Sequence, residues 1–168
     1  GIFTSVNIEG TIDRALNDPL SVDDYRSFRD AVAAADEVLY LTDNAGEIVF
    51  DRLLIEELIS KGKKIQAVVK GSPVINDATL SDAEESGLIG LCEVIGNGSD
   101  GVGTILEWTP PAFQQMFNNA QLVISKGQGN FETLISTEKK IFFLFQAKCN
   151  VVSEELGLLT GSMLLKKS

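Results

Sequence analysis

Oxygen-bearing side chains follow the first long apolar run of the chain, at the point where a buried strand is predicted to end. The run VLYLT at residues 38–42 leads directly into DNAGE at residues 43–47. Carboxylate and amide oxygens are the ligands that hard divalent cations prefer, and ligand sites in open α/β sheets form at the carboxyl ends of strands. Asp43 and Asn44 are therefore candidate metal ligands, although Asp and Asn also serve as simple turn and helix-capping residues.

Polar or glycine-rich segments also follow the other predicted strands. Lys70, Asn76 and Asp77 come after the second strand, the run GNGSDG at residues 96–101 after the third, KGQGN at residues 126–130 after the fourth, and Lys148 after the fifth. Because parallel strands end at the same edge of a sheet, we expect these loops to lie together. The pattern predicts one composite site at that edge.

Three of these side chains could form a metal site with open positions. Asp43, Asn44 and Asp77 offer three oxygen ligands, which would leave places for water and substrate on an octahedral ion. Asp77 could instead cap the helix that follows it. Lys148 could hold a phosphate oxygen with its compact charge, or extend into solvent as lysines beyond apolar strands commonly do.

The glycine-rich runs allow more than one interpretation. Gly127 and Gly129 are either turn glycines or residues that let backbone N–H groups approach an anion. The run at residues 96–101 matches the dinucleotide fingerprint GxGxxG, which requires a helix to begin inside the motif. Pro110 and Pro111 oppose a continuous helix from this point, so a nicotinamide cofactor is disfavoured.

The absence of histidine limits the available chemistry. None of the 168 residues is histidine, which excludes Ser-His-Asp and Cys-His mechanisms and imidazole metal ligands. Any catalysis would depend on carboxylates, lysine, hydroxyls, cysteine or a metal-bound water, and Asp43 or Asp77 could accept a proton from water. A covalent aspartyl-phosphate on Asp43 is less favoured, because Ala45 occupies the second acidic position of the DxD pattern typical of that chemistry.

Composition restricts the partners and the setting. The net charge of −10 argues against a nucleic-acid partner, but a metal ion and lysines can still create a local site for an anionic metabolite. We find neither a signal peptide nor an apolar run of 18 residues, so no membrane partner is expected. Cys92 and Cys149 form no CxxC pair, which favours a reducing, cytoplasmic setting.

The alternation of apolar runs and helical patterns predicts an α/β fold of the three-layer, Rossmann-like type, with a mainly parallel sheet of five to six strands. Strands are predicted at residues 38–42, 64–69, 91–95, 122–125 and 141–145, with residues 161–167 as an added edge strand. Helices are predicted near residues 22–34 (with Ser21 as N-cap), 48–61, 78–86 and 111–118, and another helix is predicted to begin within residues 131–135.

Four runs together resemble the damage-control phosphatase family, also called the acidic-residue methyltransferase-like family. They are DNAGE at residues 43–47, KGSPVINDAT at residues 70–79, KGQGNFE at residues 126–132, and Lys148 with Cys149. The runs occur in the family's order and extend the resemblance from about Leu39 to the C-terminus.

The resemblance implies a divalent-metal-dependent phosphatase that hydrolyses small phosphorylated metabolites, such as sugar phosphates or damaged phospho-metabolites. By motif, the ion (Mg²⁺, Mn²⁺, Co²⁺ or Ni²⁺) would bind Asp43, Asn44 and Asp77, and an ion-activated water would attack. The residues on the substrate and phosphate side would be Lys148, Gly129, Asn130, Glu47 and, early in the chain, Asn7.

Two other functions stay open. The second family name suggests a carboxyl methyltransferase that uses S-adenosylmethionine, and a metal- or anion-binding module without turnover is the non-enzymatic alternative. Because family members usually carry a helical region before the α/β domain, residues 1–20 are interpreted as a leading segment left from a shortened helical region. Residues 21–168 are interpreted as the α/β domain, and no oligomeric state is predicted.

Overall fold

A mostly parallel seven-stranded sheet forms the middle layer of the structure, a computed structural model that describes residues 8–168. Its strands are β1 (Val22–Asp23), β2 (Glu37–Leu41), β3 (Lys64–Val69), β4 (Glu93–Gly96), β5 (Leu122–Lys126), β6 (Ile141–Gln146) and β7 (Met163–Lys167). The spatial order is β1-β7-β6-β5-β2-β3-β4. Neighbouring strands are parallel except β6 and β7, which pair antiparallel.

Helices cover both faces of the sheet. The helices of residues 8–168 are α1 (Ile8–Asn17), α2 (Tyr25–Ala34), α3 (Ile48–Ser60), α4 (Leu80–Glu85), α5 (Pro111–Asn119), α6 (Gln128–Leu134) and α7 (Asn150–Glu155), with short 3-10 helices at Leu88–Gly90 and Leu106–Trp108. Helices α2, α3 and α4 contribute to one apolar core, and α5, α6 and α7 contribute to the other. No helix within residues 8–168 is long and apolar enough to cross a membrane.

The central strands are apolar because both of their faces are buried. In β2, Val38 and Tyr40 face the core under α2–α4, whereas Leu39 and Leu41 face the core under α5–α7. This alternation is the two-residue period of a strand. The predicted three-layer α/β architecture is therefore confirmed.

The region of β1 differs from the prediction. Residues 22–34 are predicted as one helix capped by Ser21, but Val22 and Asp23 pair in parallel with β7, and the backbone N–H of Ser21 donates to Met163 O at 2.8 Å. The helix begins only at Tyr25. This pairing raises the strand count to seven and places β7 between β1 and β6, so β7 is not an edge strand.

Helix α3 also differs in the face that it buries. Val49, Leu53, Leu54 and Leu58 lie at helical spacing, which predicts one shared face, yet Val49 and Leu53 are 54% and 66% exposed. Leu54 and Leu58 do pack inward, and Ile48 and Ile55 join them. The helix is apolar on several sides, so that helical spacing alone does not identify the face that the sheet covers.

The strand order creates a crevice between β2 and β5. From β2 the chain builds outward through β3 and β4, whereas β5 lies on the opposite side of β2 and leads to β6. The connections after β2 and β5 therefore diverge to opposite sides of the sheet. Such a reversal point is where α/β sheets bind ligands, at the carboxyl ends of the strands.

Candidate active site

Asp43 and Gly127 meet in the crevice between β2 and β5. A Cβ atom built on Gly127 would come within 2.1 Å of the Asp43 Cγ, and Gly127 has a φ of +83°. Glycine satisfies both demands, because it has no side chain and accepts positive φ at little cost. The Asp43 carboxylate is thereby packed directly against the turn that follows β5.

The structure brings the three predicted metal ligands together. Asn44 and Asp77 form an isolated antiparallel bridge, and the N–H of Ala78 donates to Asp43 O at 2.7 Å. The side-chain oxygen of Asn44 accepts the N–H of Gly46 at 2.7 Å. Asn44 therefore stabilises its own turn, which is the turn role that Asn often has. The same oxygen keeps a second lone pair that could bind a cation.

Asp77 does not cap the helix that follows it. Thr79 is the N-cap of α4, and Asp82 accepts hydrogen bonds from the Thr79 N–H and hydroxyl at 2.8 and 2.6 Å. The Asp77 carboxylate lies instead 3.3 Å from the ammonium of Lys70, and the side chains of both are nearly buried. The capping interpretation of Asp77 is therefore wrong.

The carboxylates of the site repel one another. The pKa of Asp43 is raised to about 6, first by burial and then by the charges of Glu47 and Asp77, while Lys148 and Lys126 act in the opposite direction. Three carboxylates and two ammonium groups thus lie within electrostatic reach of one another. Excess negative charge at a partly buried position suits a bound cation.

Lys70 links two loops of the site, a role that the sequence analysis does not predict. Its buried ammonium donates to Gly101 O at 2.8 Å and to Gly103 O, and it pairs with Asp77. The glycine-rich loop after β4 is therefore fastened to the loop that carries Asp77. The available signal was a lysine directly after an apolar strand, a position also occupied by Lys126.

Lys148 lies on the exposed side of the site. Its backbone N–H donates to the Gln128 side chain at 2.7 Å, and the Gln128 amide donates in turn to Glu132 and to the Cys149 sulfur. The Lys148 ammonium forms no ion pair with any carboxylate in the part of the chain that the structure describes. It is therefore available to an anionic ligand beside the start of α6.

The side chain of Asn130 has a structural task. It is buried, donates to Thr42 O at 3.0 Å and to Lys126 O at 2.8 Å, and accepts the Thr104 hydroxyl at 2.7 Å. These bonds join the ends of β2 and β5 to the loop after β4. Only the backbone at Gly129 and Asn130 is left for an anion, since the first amides of a helix have no acceptor within it.

The glycine run after β4 has a packing role. No helix begins within residues 96–101, and a Cβ atom on Gly98 would come within 2.6 Å of the Pro110 ring. On Gly103 it would come within 2.3 Å of Gly129 O. Close backbone packing explains these glycines, and the dinucleotide fingerprint lacks the helix that it requires.

A second pair of buried charges lies beneath the site, and the sequence analysis does not predict it. The Lys126 ammonium is 2.7 Å from Asp51 Oδ1 and 3.5 Å from Glu47 Oε2. Burial acts to lower the pKa of Lys126, but the charges and hydrogen bonds of Asp51 and Glu47 outweigh it and raise the pKa. No sequence pattern indicates Asp51 as a site residue, because it lies inside a helix rather than after a strand.

The donor set fits a hard cation with few protein ligands. Among residues 8–168, no three carboxylate or thiol groups cluster as a metal site. The predicted set has only two carboxylates and one amide, all of them oxygen donors. One predicted site residue, Asn7, lies outside the described residues.

Comparison with known proteins finds relatives along nearly the whole chain. The family described as damage-control phosphatase ARMT1-like domain matches residues 3–164. An uncharacterized protein of Methanocaldococcus jannaschii is 42% identical, with 98% of this chain and 56% of that protein covered. A damage-control phosphatase of Pyrococcus horikoshii is 38% identical, with 99% and 58% covered, and one of Archaeoglobus fulgidus is 36% identical, with 91% and 53% covered.

The fold has a match among solved structures. A crystal structure of a DUF89 family protein from Pyrococcus horikoshii superposes with a TM-score of 0.88 at 38% identity, covering 95% of this chain and 56% of that one. The chain spans 53% to 58% of the length of the curated relatives that it matches.

Proposed function

This chain belongs to the damage-control phosphatase ARMT1-like family, and from that premise we propose that it hydrolyses small phosphorylated metabolites with the help of a divalent cation. The family resemblance predicted from the sequence is confirmed, and the names of two relatives support a phosphatase role. The observation that carries the proposal is the position of the Asp43 carboxylate. It lies in the crevice between β2 and β5, close to Asp77, Glu47 and Lys148.

The cation would bind Asp43, Asn44 and Asp77. Asp77 engages Lys70 through Oδ2 at 3.3 Å, and Asn44 uses one lone pair within its own turn. Mg²⁺, Mn²⁺, Co²⁺ and Ni²⁺ all accept such oxygen ligands. When bound, the ion supplies charge neutralisation for the phosphate and lowers the pKa of a coordinated water.

The chain's own groups hold the phosphate and move the proton. Lys148, whose charge acts on Asp43, and the backbone amides of Gly129 and Asn130 in the first turn of α6 would stabilise the charge on the phosphate oxygens. Asp43, with a pKa of about 6, is ionised at neutral pH and can accept a proton from the attacking water, and Asp77 is the alternative acceptor. A carboxylate must take this role because the chain has no imidazole.

The substrate, the metal and the setting remain part of the proposal. The substrate is a small phosphorylated metabolite, for example a sugar phosphate. Cys92 and Cys149 are both free thiols in the structure, and the cytoplasmic setting inferred from them stays a prediction.

The proposal is tested by phosphate release. Protein stripped with a chelator is assayed on a panel of phosphate esters with each of the four metals, alongside Asp43→Asn, Asp77→Asn and the control Glu37→Gln. Glu37 lies at the opposite end of β2 in an exposed pair with Lys64. We expect metal-dependent release that falls at least about 100-fold in both aspartate variants and is unchanged in the control.

Several outcomes would contradict this function. Phosphate release without added metal, or full activity in both aspartate variants, would exclude the metal-assisted mechanism. Binding of S-adenosylmethionine without hydrolysis would favour the methyltransferase. Metal binding by folded protein without turnover on any ester would favour the non-catalytic module.

A further inference from the structure

A row of polar groups runs from the core to the candidate active site on the α3 side of the sheet. The Tyr40 hydroxyl donates to Asp51 Oδ1 at 2.9 Å, and the same oxygen is 2.7 Å from the Lys126 ammonium. On its other side Lys126 is 3.5 Å from Glu47. Glu47 and Asp51 are one turn apart at the start of α3, so both carboxylates face the same ammonium. We call these four residues the Lys126 network.

The inner part of the network, Tyr40 and Asp51, is buried in a place where apolar side chains would be expected. Tyr40 is 0% and Asp51 3% exposed, and Asp51 Oδ2 is buried with no hydrogen-bond partner among the described residues. Burying an ion pair costs much of the energy that its attraction returns, and well-packed apolar residues are often at least as stable. Stability alone therefore does not explain the network.

The outer end of the network, Glu47, lies next to Asp43 of the candidate active site. The Glu47 side chain is 42% exposed, and its charge raises the pKa of Asp43, which Lys126 lowers. At the inner end, Asp51 Oδ1 accepts hydrogen bonds from both the Tyr40 hydroxyl and the Lys126 ammonium. Because Asp51 holds the Lys126 ammonium in place, this ammonium is a fixed partner for Glu47 at the edge of the site.

We propose that Asp51 and Lys126 are positioning residues of the active site: Asp51 anchors the Lys126 ammonium, and the anchored ammonium fixes the Glu47 carboxylate beside Asp43. The inference rests on the proposed function for its catalytic consequence. Without Asp51, the ammonium is free to move outward. There it pairs with Glu47 and Asp43 and competes with the divalent ion for the same carboxylates.

Four variants test the network. Asp51→Asn and Lys126→Met each remove one charge with little change of shape, the double variant removes both, and Tyr40→Phe removes only the hydroxyl. The matched control is Glu37→Gln with Lys64→Met, an exposed ion pair at the far end of the sheet. The assays are phosphate release, Mn²⁺ affinity and thermal unfolding of each variant of the 168-residue chain.

We expect kcat to fall about 10- to 100-fold in both single variants, the effect typical of residues that orient metal-binding side chains. KM should change less than about threefold. The double variant should lose no more activity than either single variant, because the two residues act as a unit. Mn²⁺ affinity should fall about tenfold in Asp51→Asn. Tyr40→Phe should have a smaller effect on kcat, and the control should have none.

The outcomes separate this inference from the proposed function. If the wild type releases no phosphate but Asp51→Asn still weakens Mn²⁺ binding, the function is wrong and the positioning role stands. Wild-type kcat and Mn²⁺ affinity in folded Asp51→Asn would overturn the positioning role, as would losses in the double variant that equal the sum of the single losses. A single variant that leaves a buried charge unpaired can fail to fold, and the double variant, which leaves none, then carries the test: wild-type kcat and Mn²⁺ affinity in the folded double variant would overturn the positioning role.

Discussion

At the scale of single residues, Asp43 lies between opposing demands. Its carboxylate is partly buried against Gly127 and close to two other carboxylates, and two lysines only partly offset this environment. A carboxylate in such a place is poorly stabilised until a cation arrives. The strain on Asp43 is therefore the residue-level sign of a binding site.

The raised pKa of Asp43 predicts a pH-dependent cost in the metal-free protein. Because its pKa is about 6 in the folded chain against an ordinary 3.8, folding favours the protonated form. This stabilising contribution is complete below about pH 3.8 and is lost as the pH rises through 6. We expect Asp43→Asn to be more stable than the wild type by about 1 kcal/mol at pH 8, a value reduced for solvent screening.

Urea unfolding of chelator-treated protein at pH 4, 6 and 8 measures this difference. The control is Asp100→Asn, which replaces an exposed carboxylate of the loop after β4. An advantage of Asp43→Asn that grows towards low pH would show that the carboxylate is instead stabilised by the fold.

At the scale of elements, the site depends on how closely two turns approach. The turn after β2 and the turn after β5 touch at Asp43 and Gly127, and the bonds of Asn130 join the same two strand ends. The element boundaries themselves follow local rules. Pro111 begins α5, and Gly62 follows the end of α3 at a φ of +78°.

We expect Gly127→Ala to damage both stability and metal binding. The new Cβ would lie 2.1 Å from the Asp43 Cγ at a φ of +83°, so the cost combines a clash with backbone strain and should exceed about 2 kcal/mol. Urea unfolding and Mn²⁺ titration measure the two effects. Gly62→Ala is the matched control, because its φ is +78° with nothing within 4 Å of the added atom, and it should cost about 1 kcal/mol.

A double-variant cycle separates the clash from the strain. In an Asp43→Ala background the contact partner is gone, so Gly127→Ala should cost only about as much as Gly62→Ala. An equal cost in both backgrounds would mean that Asp43 and Gly127 do not press on each other.

At the scale of the whole molecule, the sheet order collects charges from distant parts of an acidic chain. The net charge is −10, yet Lys70, Lys126 and Lys148, each at the end of a strand or shortly after one, all reach the region of the crevice. This arrangement creates a mixed site for a cation and an anion, which the net charge alone does not suggest.

Metal binding should stabilise the entire domain. A ligand that binds only the folded state at 100 times its Kd adds about 2.7 kcal/mol, which for a domain of this size raises Tm by roughly 5 to 10 °C. We expect this shift with Mn²⁺ at pH 8, and a smaller one at pH 5, where Asp43, with its pKa of about 6, is mostly protonated. Thermal unfolding with and without Mn²⁺ measures it. An equal shift in Asp43→Asn would place the ion elsewhere.

Much of the fold was accessible from local pattern. The bounds of β3, the start of α3 and the apolar β6 agree with the prediction, because runs of apolar residues and turn glycines act over a few positions. The prediction failed at Val22–Asp23 and at the buried face of α3. Both depend on a distant partner, which is β7 in the first case and the sheet in the second.

The sequence by itself determined the chemistry that is available: carboxylates, an amide, lysines and glycines after successive strands, no imidazole, and the motif order of one family. These are local properties of the chain. Only the tertiary structure decided which of these groups meet. That Asp43 packs on Gly127, that Lys70 fastens the loop of Asp77, and that Lys126 turns inward to Asp51 all follow from strand order and helix packing. Such contacts join residues far apart in the chain, and no short sequence pattern specifies them.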